Sequence, residues 1–563
     1  MQKLIECVPN FSEGRDQNVI RQITDAVQSV DGVSLLDVDP GASTNRTVVT
    51  FVGSPETAIE AAFRAIKKAS ELIDMRKHTG AHPRMGATDV CPFIPVSNVS
   101  WEEAIACAHE LGKRVGDQLK IPVYLYERAA KNKARSNLSI IRAGEYEGFA
   151  EKIKQPQWKP DFGPAVMNEK AGATVIGVRD FLVAYNANLN TRSVRRANAV
   201  AFDVREQGRV KTMDGTPQGK PVLDEKGEPV REPGMLKHVK AIGWFVKEYG
   251  IAQVSMNLTN ITETPLHVAF DACVESAHKR GMRVTGSEIV GMVPKKSLLD
   301  AGRYFLRKQS WSEGVSEEEL IDMAIRSLGL SELKPFDPKE KVIEFKIDSG
   351  SGKSLVKMSM REFCNELASE SPAPGGGSVA ALMGALGASL GGMVANLSAG
   401  KRGWDDKLAY FSDWAVKAQE LKDELLALVD EDAAAFNKVM DAFGLPKGSD
   451  DEKKSRAASI ESATKHAAEI PLKVMETASQ SYELLAEMAE KGNPASISDV
   501  AVGALATRAC IDGAAFNVRI NLAQLKDQGA KLNLSNKMGK ILTNAAAQFE
   551  NVLKIVTDKL KEA

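Results

Sequence analysis

Seven histidines are spread over 563 residues, and two of them lie four apart in Asp74–Val90, DMRKHTGAHPRMGATDV. His78 and His82 stand there among Arg76, Lys77 and Arg84. Three kinds of chemistry fit such a group. Two imidazoles at i and i+4 on a helix form half a zinc site. Against that, Gly80 falls between them, Pro83 follows, and no glutamate comes after His78; the glycine and proline break a helix. The second reading is a structural histidine with satisfied ring nitrogens. The third is a loop imidazole that carries a proton for an anionic substrate held by the neighbouring cations.

Polar residues also mark strand ends. Asp37 and Asp39 close the β-rich run SLLDVD, and Asn10 and Glu13 follow the first run, KLIECVP. Sites in α/β layers are commonly built at such ends. Asp39-Pro40-Gly41 is equally ordinary turn chemistry.

The stretch ELLALVDEDAAAFNKVM raises a separate question. On a helix Leu421, Leu425, Leu428, Val429, Phe436, Val439 and Met440 form one apolar stripe. Asp432 lies on it, four residues from both Leu428 and Phe436, and Asp430 points elsewhere. A carboxylate in a buried stripe is costly unless paired or protonated. It is either an acid/base of raised pKa or a structural hydrogen-bonding group at the helix edge. Upstream, SPAPGGGSVAA turns sharply and starts a helix at about Ser378. The main-chain N–H groups of Gly376, Gly377 and Ser378 at such a start suit an anion, or the glycines serve a cap and close helix packing. Asn517 and Asn521, four apart in FNVRINL, face one pocket or satisfy each other in a core.

Composition narrows the class. Lys+Arg number 73 against 74 Asp+Glu, so no global basic field argues for nucleic acid. Cys7, Cys91, Cys107, Cys273, Cys364 and Cys510 are scattered without a CxxC pair. That argues against a zinc ribbon or disulfide framework and predicts a reducing, cytoplasmic setting. MQKLIECVPNFSEGRD has no basic segment followed by an apolar run, so no signal peptide is expected. Residues 378–400 are uncharged over a bilayer's length. They are rich in Ala and Gly, and no second such segment exists; the prediction is a helix buried in a soluble bundle or dimer.

These residues need elements to hold them. The first third alternates β-rich runs with helical patterns at Asp16–Val30, Pro55–Asp74 and Trp101–Leu119. A second unit runs β-α-β-β-α-β from DFLVAYNANLN to RVTGSEIVGMVP, with Thr191 as a candidate helix cap. The polar stretch 208–233 is predicted to be a surface excursion. After the Gly/Ser-rich IDSGSGKS the strands stop. Helices are predicted at Met358–Ser369, Ser378–Ala399, Lys407–Phe443, Asp451–Lys491 and Ser496–Asp527, with a last one from Leu534. The expected fold class is an α+β half made of two ferredoxin-like (split βαβ) subdomains, 1–178 and 179–346. A linker, 347–354, and an all-α helical bundle, 355–563, follow.

CVPNFSEGRD, GASTNRTVVTFVG, HTGAHPRMGATDVCPF and FLVAYNANLNT resemble the glutamate formimidoyltransferase family. APGGGSVAA, LVDEDAAAF and AFNVRINL resemble formimidoyltetrahydrofolate cyclodeaminases. Together the chain resembles the bifunctional family that joins them. The resemblance implies transfer of a formimidoyl group from N-formimidoyl-L-glutamate to N5 of tetrahydrofolate. Ring closure to 5,10-methenyltetrahydrofolate with loss of ammonia follows. His82 falls on the family's catalytic histidine and Asp432 on its cyclodeaminase aspartate. The folate-binding segment falls on Gly163, Pro164, Ala165, Val166, Met167, Asn168, Glu169, Lys170, Ala171 and Gly172.

With that chemistry Asp39 becomes a candidate support for His82, and Asn10 a candidate substrate contact. Arg46, Arg76, Lys77 and Arg84 become candidate clamps for the donor's carboxylates, or solvated surface cations. Gly376, Gly377, Ser378, Asn517 and Asn521 become candidate folate contacts in the helical half. The implied co-substrate is tetrahydrofolate, polyglutamylated, with no metal, no nucleic acid and no membrane span. The implied assembly is a homo-oligomer. Competing readings are a formimidoyltransferase with an inert helical half, and a non-catalytic folate-binding assembly protein; a zinc hydrolase on His78 and His82 trails them.

Overall fold

The computed structural model describes residues 3–41, 45–80, 83–216, 219–348 and 354–562. His82 lies outside the described residues, as does most of the predicted linker. The chain forms two compact units, one from the described residues of 1–301 and 325–350, the other from those of 302–324 and 351–563.

The first unit begins with a seven-stranded mixed sheet. Its strands are β1 (Leu4–Cys7), β2 (Asn10–Phe11), β3 (Ser34–Gly41), β4 (Arg46–Gly53), β5 (Thr88–Ser97), β6 (Val123–Glu127) and β7 (Thr174–Val178). β1 and β2 both pair with β4 on one side and β5 on the other, so they act as one interrupted central strand. β3 lies outside β4, and β7 then β6 extend the sheet in parallel beyond β5.

Helices α1 (Gln17–Gln28), α2 (Pro55–Leu72) and α3 (Trp101–Arg114) cover one face. Each starts where a side chain takes up orphan N–H groups: Asp16, Ser54, and Ser100 in a capping box with Glu103. Their apolar faces close on Ile5, Phe51 and Phe93. α4 (Leu138–Arg142) and α5 (Glu145–Lys152) cover part of the other face, where Tyr124, Val175, Ile141 and Phe149 form a second core. Along β4, Thr47, Val49 and Phe51 are buried while Arg46 and Val48 are half-buried. This alternation turns Arg46 to the polar face.

The second sheet, within the same unit, is antiparallel and ordered β11-β12-β8-β13. Its elements are β8 (Val183–Leu189), α6 (Val194–Val204), β11 (Val239–Val246), β12 (Ile251–Leu258), α7 (Leu266–His278) and β13 (Val284–Val290). Thr191 is not the cap of α6. Ser193 is, accepting the N–H of Arg196, while Thr191 Oγ1 accepts the N–H of Ser193. The helix starts at Val194, which puts the cap two residues later than the sequence pattern suggested. The 208–233 excursion carries a ribbon of β9 (Arg209–Val210) and β10 (Arg231–Glu232). Helices α8 (Lys295–Lys308), α9 (Glu317–Leu328), α10 (Pro338–Lys341) and α11 (Ile343–Asp348) follow.

The second unit is helical: α12 (Met360–Leu367), α13 (Gly376–Ala399), α14 (Leu408–Gly444), α15 (Asp450–Lys491), α16 (Ile497–Gln524) and α17 (Gln528–Glu562). α17 begins six residues before Leu534, because Asp527 Oδ1 accepts the N–H of Ala530 and sets the start. α13, with a mean hydropathy of 1.6 in its most apolar window, packs inside this bundle against α14, α15 and α16. Its glycines permit the approach: a Cβ on Gly387 would lie 2.4 Å from Thr507 Oγ1, and one on Gly391 2.6 Å from Leu484 Cδ2. The buried stripe of α14 differs from the predicted one at its end. Leu421, Leu425, Leu428 and Val429 are buried and Val439 packs against the core, but Phe436 and Met440 are exposed, because the buried face continues through Ala435 and Ala442.

Candidate active sites

The first site forms where the break in the central strand meets the starts of β4 and β5. Asn10, Val48 and Asp39 are cross-strand partners in one row, so they share a face with Arg46. Asp39 is exposed there. Arg46 donates to Asn10 Oδ1 (2.6 and 2.9 Å) and to Asp89 Oδ2 (2.9 Å). Asp89 is fully buried and also accepts from Arg142 and from the N–H of Met85. Burial, ahead of the nearby Arg142, pulls the Arg46 guanidinium down to about 10. Sequence reasoning missed Arg142 and Asp89. Asp89 stands in the quoted stretch, but its partner Arg142 lies 53 residues away with no local signal.

His78 sits in a turn-rich segment without helix, and the second histidine of the spacing lies outside the described residues. Its Nε2 lies 2.9 Å from the main-chain oxygen of Asn45, and its Nδ1 lies 3.2 Å from Arg84 Nε. Arg84 is buried and also grips Glu145 (3.0 Å) and both oxygens of Glu147 (2.8 and 2.6 Å). The Glu147 hydrogen bonds raise the Arg84 pKa, and Arg84 in turn lowers that of Glu147. The predicted clamp is thus engaged by two carboxylates that sequence reasoning missed. Arg76 is engaged too: its hydrogen bonds hold Asp74 down at about 2. Thr79, Gly80, Arg84, Gly144, Glu145 and Glu147 line an open groove of about 510 Å³.

The 163–172 segment is pinned at both ends. Gly163 (φ 82°) and Gly172 (φ 69°) adopt left-handed backbone that favours glycine. A Cβ on Gly172 would lie 2.1 Å from Met85 O, and one on Gly163 2.5 Å from Ile121 O. Asn168 closes the turn, its side chain accepting the N–H of Ala171 at 2.9 Å. Lys170 O accepts the N–H of Met75 at 2.9 Å, and Tyr146 ties Glu169 O to Arg84 O. Pro164 is half-buried; Ala165 and Val166 face outward, and Met167 packs on the second core.

In the helical unit Asp432 meets the first turn of α13. Ser378 Oγ lies 3.1 Å from Asp432 Oδ2 and equally far from Val429 O. Burial pushes the Asp432 carboxyl above its ordinary range, against the side-chain and main-chain hydrogen bonds of Ser378. Gly377 packs on the carboxylate, and Asn517 borders Gly376. Asn521 is occupied elsewhere: its amide donates to Ala467 O on α15 at 2.8 Å, so the two asparagine side chains do not pair. Asp430 accepts from Ser354 Oγ and from the N–H of Leu355, both at 2.6 Å. Among the described residues no three His, Cys, Asp or Glu side chains converge as metal ligands.

An α/β unit with an imidazole–guanidinium–carboxylate cluster and a helical unit with a buried carboxyl define a bifunctional enzyme. Residues 4–179 match the formiminotransferase domain's N-terminal subdomain, 184–348 the formiminotransferase domain, and 359–540 the formiminotransferase-cyclodeaminase model. The chain is 44% identical to the formimidoyltransferase-cyclodeaminase of Mus musculus, over 98% of both chains. It is 43% identical to the glutamate formimidoyltransferase of Thermoplasma acidophilum, over 57% of this chain and 98% of that one. It is 37% identical to the methenyltetrahydrofolate cyclohydrolase of Methylorubrum extorquens, over 35% of this chain and 95% of that one. The chain belongs to the formimidoyltransferase-cyclodeaminase family.

Proposed function

We propose that this chain performs two consecutive reactions on tetrahydrofolate. In the α/β unit, N5 of tetrahydrofolate adds to the imidoyl carbon of N-formimidoyl-L-glutamate. N5 loses a proton, the bond from that carbon to the glutamate nitrogen breaks, and glutamate leaves as its nitrogen gains one. His82 carries this proton, with Asp39 in support. Asn10, Arg46 and Arg84 surround the donor, and residues 163–172 hold the folate.

In the helical unit, N10 attacks the same carbon. N10 loses a proton, the carbon–nitrogen bond to the imino nitrogen breaks, and ammonia leaves protonated. Asp432 delivers and collects these protons, since a carboxyl raised by burial is the group for that task. Gly376, Gly377, Ser378 and Asn517 are the folate contacts beside it, while the amide of Asn521 is held by Ala467 O. The observation that carries the two-reaction reading is Asp432 of α14 buried against the first turn of α13, a second proton-handling group in a separate unit.

Several finer points belong to the same reading. A groove of about 980 Å³ between α14 and α15, lined by Lys438, Lys465 and His466 beside Asp441 and Glu469, suits the carboxylates of a polyglutamylated folate. Leu386 on α13 and Val502, Leu505, Phe516 and Ile520 on α16 are exposed apolar side chains on adjacent helices, which favours a homo-oligomer. Six free cysteines, with Cys7 and Cys91 sulfurs only 3.5 Å apart, favour a reducing cytoplasm. A ferredoxin-like topology is read in both subdomains: β3-β4-β1-β5 and β11-β12-β8-β13 each follow the split βαβ order.

The test supplies N-formimidoyl-L-glutamate and tetrahydrofolate and follows glutamate, methenyltetrahydrofolate and ammonia. All three are expected, with His82→Ala blocking glutamate release and Asp432→Asn blocking only ring closure. Glutamate without ammonia from the unmodified chain would leave a single-activity transferase.

A further inference from the structure

We propose that Arg142 is a specificity residue for the donor, its guanidinium completing a carboxylate subsite with Arg46 around Asp89. This rests on the reading of the α/β unit as the transferase. Charge is the starting point. Arg46 and Arg142 both pair with the one carboxylate of Asp89. The two arginine side chains are 13% and 14% exposed, and that of Asp89 is 1% exposed. Asn10 and Tyr126 beside Arg46 bring no second negative charge: Asn10 Oδ1 accepts from the guanidinium, and burial pushes the Tyr126 hydroxyl up to about 12. Two guanidiniums against one carboxylate leave one positive charge largely out of water. Such a charge is costly until an opposite charge meets it, so a second carboxylate is what the cluster lacks.

The side chain of Arg142 offers the place for it. Its Nε, at 3.3 Å, and its Nη2 are spent on the two oxygens of Asp89. Among the described residues nothing accepts from its Nη1, which stays open to solvent. That edge of the guanidinium is the cluster's available pair of donors, and a carboxylate is its natural acceptor. Arg142 is the last residue of α4, and the helix end is held. Ile141 is buried in the second core, and Lys152 Nζ donates to Ile140 O, Ile141 O and Ala143 O at 3.1, 2.8 and 2.7 Å, on either side of Arg142.

The neighbouring cations suit an anion less well. Arg84 carries the carboxylates of Glu145 and Glu147, two negative charges for one positive. Arg76 is exposed and paired with Asp74. A dicarboxylate donor is therefore drawn to Arg46, Asp89 and Arg142, where the local charge is positive and water is partly excluded. One donor carboxylate on Nη1 of Arg142 balances the cluster at two charges of each sign.

The test pairs a change in the residue with a change in the donor. Transferase kcat/KM is measured for N-formimidoyl-L-glutamate and for the two donors in which its α- or its γ-carboxylate is a carboxamide. The unmodified chain should prefer the dicarboxylate over one of these amides by about 10- to 100-fold, the size of one charge-assisted hydrogen bond. In Arg142→Gln that preference should shrink to within about threefold, with the KM for tetrahydrofolate unchanged, because only the contact to the donor is lost. Arg142→Gln leaves Asp89 matched to Arg46 alone, so the fold is expected to hold. Ammonia release from preformed 5-formimidoyltetrahydrofolate should persist.

A purely structural role for Arg142 would lower all three donors alike and keep the preference, which overturns the proposal. So does a raised KM for tetrahydrofolate with the donor preference intact, since the subsite would then hold a folate carboxylate. If Arg142→Gln does not fold, Arg142→Lys keeps a charge for Asp89 but loses the open edge. The preference should then fall by about tenfold, and an unchanged preference overturns the proposal. Calorimetric binding of the same three donors without tetrahydrofolate separates the subsite from the reading it rests on. A preference in binding that depends on Arg142, without any transfer, would refute the transferase reading and leave the subsite standing. Transfer without such a preference would refute the subsite alone.

Discussion

The Asp432 carboxylate rests on the bare main chain of Gly377: a Cβ added there would come within 2.2 Å of Oδ1. Only glycine lets a carboxylate approach the first turn of α13 closely enough for Ser378 to reach it. The positive end of the helix then offsets part of the cost of burying the charge.

Gly377→Ala should therefore displace Asp432. With acid/base catalysis worth roughly 10²–10⁴-fold, ring closure is expected to fall by about 100-fold or more. Ammonia release from preformed 5-formimidoyltetrahydrofolate measures it, and glutamate release should be unaffected. Wild-type ammonia release would mean the contact is unimportant.

The Asp432 pKa makes a pH prediction with a definite sign. Burial raises it and the Ser378 hydrogen bonds lower it. Ser378→Ala removes the lowering contribution of the hydroxyl, so the limb of the ring-closure profile set by Asp432 should move to higher pH. Stability follows the same group. A raised folded pKa means the contribution is present below the unfolded aspartate value, about 3.9, and is lost as pH rises through the folded value. Asp432→Asn should thus melt higher than the unmodified chain at neutral pH, with the gain vanishing in acid. A melting temperature lowered at both pH values would contradict the assignment of burial as the cause.

The parts legible in the sequence were those with local signals. Helix periodicity placed α1, α2 and α14 within a few residues, and Asp432 declared itself by lying on an apolar stripe. Missed features depended on distance along the chain. Arg142 reaches Asp89 across 53 residues and Arg84 reaches Glu147 across 63. No pattern within a window reports such pairs. The error at Thr191 was local: two hydroxyls stand two residues apart, and the one nearer the helical N–H groups won. Phe436 and Met440 were misread because the buried face at this end of α14 runs through Ala435 and Ala442, small residues that carry a weaker apolar signal than their large neighbours.

Glu6 on β1 predicts a pH dependence in the α/β unit. It is buried, and burial raises its carboxyl from 4.5 to about 7 against the pull of Arg179. Below the unfolded glutamate value its neutral form costs nothing extra, and the stability is lost as pH rises to about 7. With about 1.4 kcal/mol per pKa unit, the loss is on the order of 3 kcal/mol. Glu6→Gln should flatten the stability of this unit between these limits and raise it at pH 8. Denaturant melts across that range check it; an unchanged slope would place the titration elsewhere.

Asp89 faces both Arg46 and Arg142, and it is fully buried. Removing its charge takes a shared carboxylate away from two half-buried guanidiniums. Breaking a buried pair in this way costs about 3–5 kcal/mol. Asp89→Asn is therefore expected to lower the stability of the α/β unit by about that amount and to abolish transfer, while ammonia release from preformed 5-formimidoyltetrahydrofolate persists. The cause can be separated from lost packing. Adding Arg142→Gln to Asp89→Asn removes one of the stranded charges, so the double variant should be more stable than Asp89→Asn alone. That non-additivity is what a shared charge network gives. If the two losses simply add, the cluster is not held by charge, and Arg46 is positioned by Asn10 instead.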